Sequence, residues 1–119
     1  MQPLKIAGAA IAILFVAAPA VVLGHHGWSS YEASTMLTIT APILESRYQN
    51  PHAEVVMSDK GKKWLVTLAP PSRMQNRGVP PEAIAVGKTV TVVGYPSRVE
   101  TAELRAERIV IDGKTVELR

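Results

Sequence analysis

KWLVTLAPPSRMQNRGVPPEAIAVGKTVTVVGY, residues 63–95, joins two strand patterns through a segment punctuated by proline and glycine. Lys63 to Ala69 alternates, with Trp64, Val66 and Leu68 on one face, and this predicts a strand. Pro70 and Pro71 end it, and Gly78 closes the segment that follows. Proline in the first turn and glycine just past the last is the asymmetry of a short helix, placed here at residues 71–77. A second short turn is expected at Pro81 to Ala85. Val86-Gly87 then leads into Lys88 to Tyr95, whose valines and threonines make a strongly β segment.

On the N-terminal side of this segment, Met36 to Tyr48 alternates and predicts a long first strand, with Pro42 demanding an edge position or a bulge. Asn50-Pro51 is a turn, and His52 to Ser58 is a second strand. Asp59 to Lys62 supplies a hairpin glycine. Beyond Tyr95, Pro96-Ser97 breaks the chain and Glu103 to Ile111 is a fifth strand. Asp112-Gly113 turns into a short sixth strand, Lys114 to Leu118. Three strands, a helix and two strands is the element order of an OB fold. The expected class is therefore all-β: a small OB-like, five- to six-stranded antiparallel barrel with one short helix. A small open β-sandwich or roll is the alternative. Closure is favoured because it removes sheet edges from a chain rich in apolar strands. The inward residues are expected to be Leu37, Ile39, Val55, Met57, Trp64, Val66, Leu68, Val90, Val92, Leu104 and Ile109.

Residues 1–24 read as a secretory signal peptide: Lys5 is the positive start, Ile6 to Ala18 the apolar run, and Pro19 opens the cleavage region. Cleavage is placed after Gly24, with Ala20 as the rival site. An uncleaved segment would be the chain's one membrane attachment, and Ile6 to Leu23 is barely long enough to span a bilayer. Residues 25–35 then form an N-terminal arm and residues 36–119 the barrel domain. The expected location is periplasmic or secreted. The mature chain of about 95 residues suits one domain. It contains no cysteine, so disulfides and thiolate chemistry are excluded. The net charge is +3, but the cations are dispersed among acids. Glu100, Glu103, Arg105, Glu107 and Arg108 alternate in sign, the pattern of a solvated strand face rather than a nucleic-acid groove.

The chain has three histidines, and two of them follow the signal directly. Cleavage at Gly24 would begin the mature protein at His25-His26-Gly27-Trp28. A terminal histidine offers its α-amine and its ring to one ion, and copper(II) favours such tetragonal nitrogen sets. Cleavage after Leu23 would leave Gly24-His25-His26, whose amine, amides and third-position ring also suit copper(II). His52 is the third candidate ligand. The expected metal residues are therefore His25, His26 and His52, with copper first and zinc second. Trp28, Tyr31 and Asn50 are expected as surrounding or partner-contacting residues. Met36, Met57 and Met74 are soft donors by type, but methionine in a small core more often fills gaps. No catalytic constellation is seen: the carboxylates form no acid–base pair by spacing, and Ser72 lacks a nucleophile-elbow context.

His25-His26-Gly27, Tyr31, Asn50-Pro51-His52, Trp64, Pro71-Ser72, Arg77-Gly78, Gly87-Lys88, Val90-Thr91-Val92-Val93-Gly94 and Asp112-Gly113 occur in this order. The set resembles a domain-of-unknown-function family of small exported bacterial proteins. The resemblance covers nearly all of the mature chain and implies export, one compact β domain, and the pairing of His-His with Asn-Pro-His. It implies no activity. A looser similarity, of fold and residue type alone, is to periplasmic OB-fold copper carriers. The functional expectation is a metal-binding or metal-carrier module. The alternative is a non-catalytic module docking on a larger envelope protein through Trp28, Tyr31 and the Pro70–Gly78 helix. Nucleic acid is not an expected partner.

Overall fold

The computed structural model describes residues 27–119. The expected signal segment, with His25 and His26, lies outside the described residues. Six strands follow in order: β1 Leu37–Arg47, β2 Glu54–Asp59, β3 Lys62–Thr67, β4 Thr89–Pro96, β5 Glu103–Ile111 and β6 Lys114–Glu117. One α-helix, α1 Pro71–Asn76, lies between β3 and β4, with single 3-10 turns at Trp28–Ser30 and Pro81–Ile84. The hairpin turns at Lys60-Gly61 and Asp112-Gly113 have both central residues at positive φ. That is the turn whose twist matches antiparallel strands, and glycine in the second place meets its demand.

The strand order is β3-β2-β1-β4-β5-β6, and β3 also pairs with β5, which closes a five-stranded barrel and leaves β6 as an addition. This is the OB-like barrel expected. The closing pair is parallel, matching Leu65 with Glu103, Val66 with Leu104 and Thr67 with Arg105. Every other strand pairing among the described residues is antiparallel. The parallel seam follows from parity. Strands reverse direction at each antiparallel neighbour, and an odd ring cannot close without one parallel contact.

β1 serves both halves of the barrel. Leu37 to Pro42 pairs with β4, and Ile43 to Arg47 pairs with β2. The register shifts between Ile43 and Glu45, so the bulge expected near Pro42 falls at Leu44, where the strand changes partners. Such a bulge bends the strand without ending it.

The barrel interior is filled by Ile39, Ile43, Val55, Met57, Val66, Leu68, Val90, Val92, Leu104 and Ile109, each at most 2% exposed. Met74 from α1 and Ile84 from the second 3-10 turn plug one end, both fully buried. Met57 and Met74 are thus core residues, whereas Met36 is exposed. Two expected core residues are only partly buried, Leu37 and Trp64. Trp64, near the start of β3, packs against the core with its ring only partly covered, and Lys62 Nζ stands 4.0 Å from the ring centroid. The added strand is protected at its end. Arg73 Nη1 donates to the Leu118 carbonyl at 3.1 Å, and Arg77 Nη1 to the carbonyls of Glu117 at 2.6 Å and Arg119 at 3.2 Å. Covering unpaired edge carbonyls with guanidinium groups blocks further strand addition there.

Candidate functional site at the arm and the seam beneath it

The arm begins with an apolar–polar contrast that a barrel face can satisfy. Trp28 and Tyr31 lie three apart in a one-turn 3-10 segment and its cap, so both rings fall on the same side. Three hydrogen bonds fix the arm to the end of β4 and the loop after it: Glu32 N–H to Pro96 O (2.9 Å), Arg98 N–H to Ser30 O (2.9 Å) and Arg98 Nε to Tyr31 O (3.1 Å); Ser97 N–H to Glu103 O (2.8 Å) holds that loop on β5. Tyr31 forms an isolated bridge with Ser97 and is 3% exposed. Its hydroxyl donates to Glu103 Oε1 at 2.8 Å.

Trp28 is clasped by cations. The guanidinium carbons of Arg105 and Arg119 each stand 4.7 Å from its ring centroid. Tyr95 meets it edge-on at 6.2 Å, and Tyr31 lies tilted at 6.4 Å. Each cation over an aromatic face is attracted by the ring quadrupole, by about 0.5–2 kcal/mol depending on desolvation.

This geometry corrects the reading of β5 as a solvated face. Glu103, Arg105 and Glu107 do alternate outward, but Arg105 is only 7% exposed. Glu107 is also engaged, accepting from the Tyr95 hydroxyl at 3.0 Å. The sign alternation is correct for an outward row; the arm then lies across that row. Nothing near residues 103–108 in sequence announces the cover, which comes from residues 28–31.

Burial and the Glu103 carboxylate together push the Tyr31 hydroxyl up to about 12. Burial lowers the Arg105 guanidinium from its ordinary value, and the like charge of Arg73 adds to this. The hydrogen bond to Glu107 raises Tyr95. Because Tyr31 is raised in the fold, its contribution to stability is complete below its unfolded value and disappears as pH climbs through the folded one. Stability should therefore fall between about pH 10 and about pH 12. Tyr31→Phe should flatten that decline while costing about 1 kcal/mol at neutral pH from the lost hydrogen bond. Urea midpoints measured across this range check it; equal alkaline slopes would show that Tyr31 is not the group responsible.

Among the expected site residues, Trp28 and Tyr31 pack on the barrel, Asn50 is exposed and His52 is half-buried. His52 follows the cis Asn50–Pro51 bond and precedes Ala53, whose N–H donates to Ala69 O and whose carbonyl accepts from Leu68 N–H, both at 2.8 Å. That ladder sets His52 beside Ala69, two residues beyond Thr67. Among the described residues, no group of three or more His, Cys, Asp or Glu side chains is arranged to hold a metal ion. His25 and His26 lie outside them.

The fold and its site define a closed OB-type barrel with one added strand and an N-terminal arm docked across its parallel seam. The chain belongs to DUF6152, a family of unknown function, which it matches over residues 12–105. No curated protein matches it.

Proposed function

We propose that this protein is an exported metal-binding or metal-carrier module, copper favoured and zinc second, with the barrel as scaffold and the arm presenting His25 and His26. The observation that supports this is the anchorage of Trp28. A chain spans at most about 3.6 Å per residue. On that limit His26 stays within about 7 Å of the Trp28 Cα and His25 within about 11 Å, whatever path the chain takes. Strand spacing of about 4.8 Å and a rise of about 3.3 Å per residue put His52 about 12 Å from Arg105, beneath Trp28. A shared site would have the arm ahead of Trp28 turn toward the His52 end of β2 and β3. Export and cleavage ahead of His25 would add the α-amine. The nearby guanidinium groups repel a divalent ion, so binding should strengthen as salt screens them. No reaction is proposed.

The test is copper titration of protein with an authentic His25 terminus, against His52→Ala and against protein carrying one extra residue ahead of His25. The extension should abolish binding and His52→Ala should weaken it. Equal weak binding by all three would remove the histidines as a site. Loss on His52→Ala alone would indicate an internal site of rings, for which zinc is as good as copper.

A second reading, a docking module of the cell envelope, is favoured by a different observation. Leu65, 38% exposed, and Val56 line an open cleft of about 340 Å³ with Glu45, Arg47 and Glu54. Trp28 and Tyr31 are engaged within the chain, so this outer face of β1–β3 is the better docking surface. Native mass spectrometry separates the two readings. A retained metal supports the carrier, and a metal-free mass with a co-purifying envelope protein supports docking.

A further inference from the structure

The sixth strand is not needed to close the barrel, since β3 and β5 already meet. It extends the sheet beyond β5, and the β5–β6 hairpin faces the segment that follows α1. Between them lies an open cleft of about 300 Å³, lined by Gly78, Val79 and Ala83 on one side and by Ile111, Asp112, Lys114 and Val116 on the other. Val79, Ile111 and Val116 are 1%, 8% and 7% exposed, so the floor of the cleft is apolar. Its size is at the lower end of the range for small-molecule sites, roughly 300–1,000 Å³.

Lys114 departs from the pattern of its strand. Alternate residues of a strand share a face, and Val116 and Leu118, two and four places on, are buried. Lys114 heads that row and is exposed. Its Nζ leans over Gly78, where a Cβ would lie 3.5 Å from it. The ammonium thus stands at the mouth of the cleft. Among the described residues, no carboxylate forms an ion pair with it. The acid in the cleft wall, Asp112, is engaged by Lys88 Nζ at 2.8 Å. Glu82, next to Ala83, is exposed and is not part of the lining. Asp112 and Lys88 offset each other, which leaves the Lys114 ammonium as the net charge of the mouth.

We propose that this cleft binds a small monocarboxylate with a compact apolar body, held at its charged end by Lys114. The body covers Val79, Ala83, Ile111 and Val116, and removing that area from water supplies most of the affinity. The carboxylate accepts from Lys114 Nζ, a charge-assisted hydrogen bond. One ammonium matches one negative charge, and the Asp112 carboxylate repels a second. A cationic amine with the same body meets Lys114 as a like charge and is disfavoured. The site uses neither the histidines nor the arm, so it is independent of the metal reading. It also shares no residue with the cleft on the outer face of β1–β3.

The experiment is titration of the full chain with hexanoate at constant ionic strength, followed residue by residue through backbone amide chemical shifts. Hexanol and hexylammonium, which carry the same apolar body, are the comparisons. Lys114→Met, which keeps an apolar stem without the charge, and Ala83→Leu, which fills the cleft, are titrated alongside. Hexanoate should move the amides of Gly78, Val79 and Ala83 and of Ile111 to Val116 saturably, and should bind more tightly than either comparison. Lys114→Met should weaken hexanoate by about twofold to fivefold and leave hexanol unchanged. Ala83→Leu should abolish the binding of both. No saturable shift at these amides overturns the proposal, as does hexanol binding as tightly as hexanoate. Should Ala83→Leu fold poorly, Lys114→Met on the exposed rim decides: unchanged affinity for hexanoate there overturns the proposal.

Discussion

Replacing Gly94 with alanine should leave little folded protein. A Cβ at this position would lie 2.0 Å from the Arg105 carbonyl oxygen, 2.7 Å from its carbon and 2.8 Å from the Ala106 Cα. All three are backbone atoms of the neighbouring strand, so no side-chain rotation relieves the clash. Gly94 pairs with Ala106 at the register shift between Val93 and Gly94, and that is why β4 and β5 approach so closely there. Separating the strands would break the ladder that sets Arg105 under Trp28. The cost should exceed the roughly 1–3 kcal/mol of ordinary overpacking, against a total stability of about 5–15 kcal/mol. In a domain of this size the melting temperature should drop by more than about 10 °C. A drop under about 3 °C on thermal unfolding would mean that the strands part without penalty and that the close approach is not required.

The second large effect is Leu104→Ala, and its comparison with Trp64→Ala. Leu104 is fully buried, lies on β5 and faces Val66 across the seam and Pro96 across the other edge. Truncation removes contacts on the strand that closes the barrel, and should cost about 3–4 kcal/mol as transfer and cavity terms add. Trp64 is larger, but its partial burial under Lys62 leaves less apolar area to lose. Its truncation should cost about 1–2 kcal/mol, since loss scales with area removed from water. Urea midpoints of the two variants decide the order. A larger loss for Trp64→Ala would place its ring deeper in the core than the fold described here allows.

Residue-level reading of the strands succeeded where the signal is local. Glu103–Ile111 and the Asp112-Gly113 turn follow from alternation and from a dipeptide that tolerates positive φ. The helix at Pro71–Asn76 follows from its proline start and glycine end. These signals depend on neighbours a few residues away, which fold together whatever surrounds them. Trp64 shows the limit. Alternation puts it on the inward face with Val66 and Leu68, but how far along the barrel axis that face stays covered depends on the ends of other strands.

The site shows the same division more sharply. His25, His26 and His52 stand out in the sequence because their residue type carries metal chemistry by itself. Arg105 and Thr67 do not stand out, since an arginine among alternating charges is ordinarily solvated and a threonine in a strand is ordinary. What makes them notable is placement: a parallel seam joins residues 38 positions apart, and an arm more than 70 positions upstream of Arg105 lays two aromatic rings over it.

The order of the six strands and the helix, the membership of the family and the OB-like class were legible in the chain, because periodicity and turn chemistry are short-range. Which outward residues are buried, that one glycine cannot carry a side chain, and that a cation on β5 lies covered by two aromatic rings came from the packing of distant segments. Those facts depend on which distant backbones come within a few ångströms, and no local pattern encodes that distance.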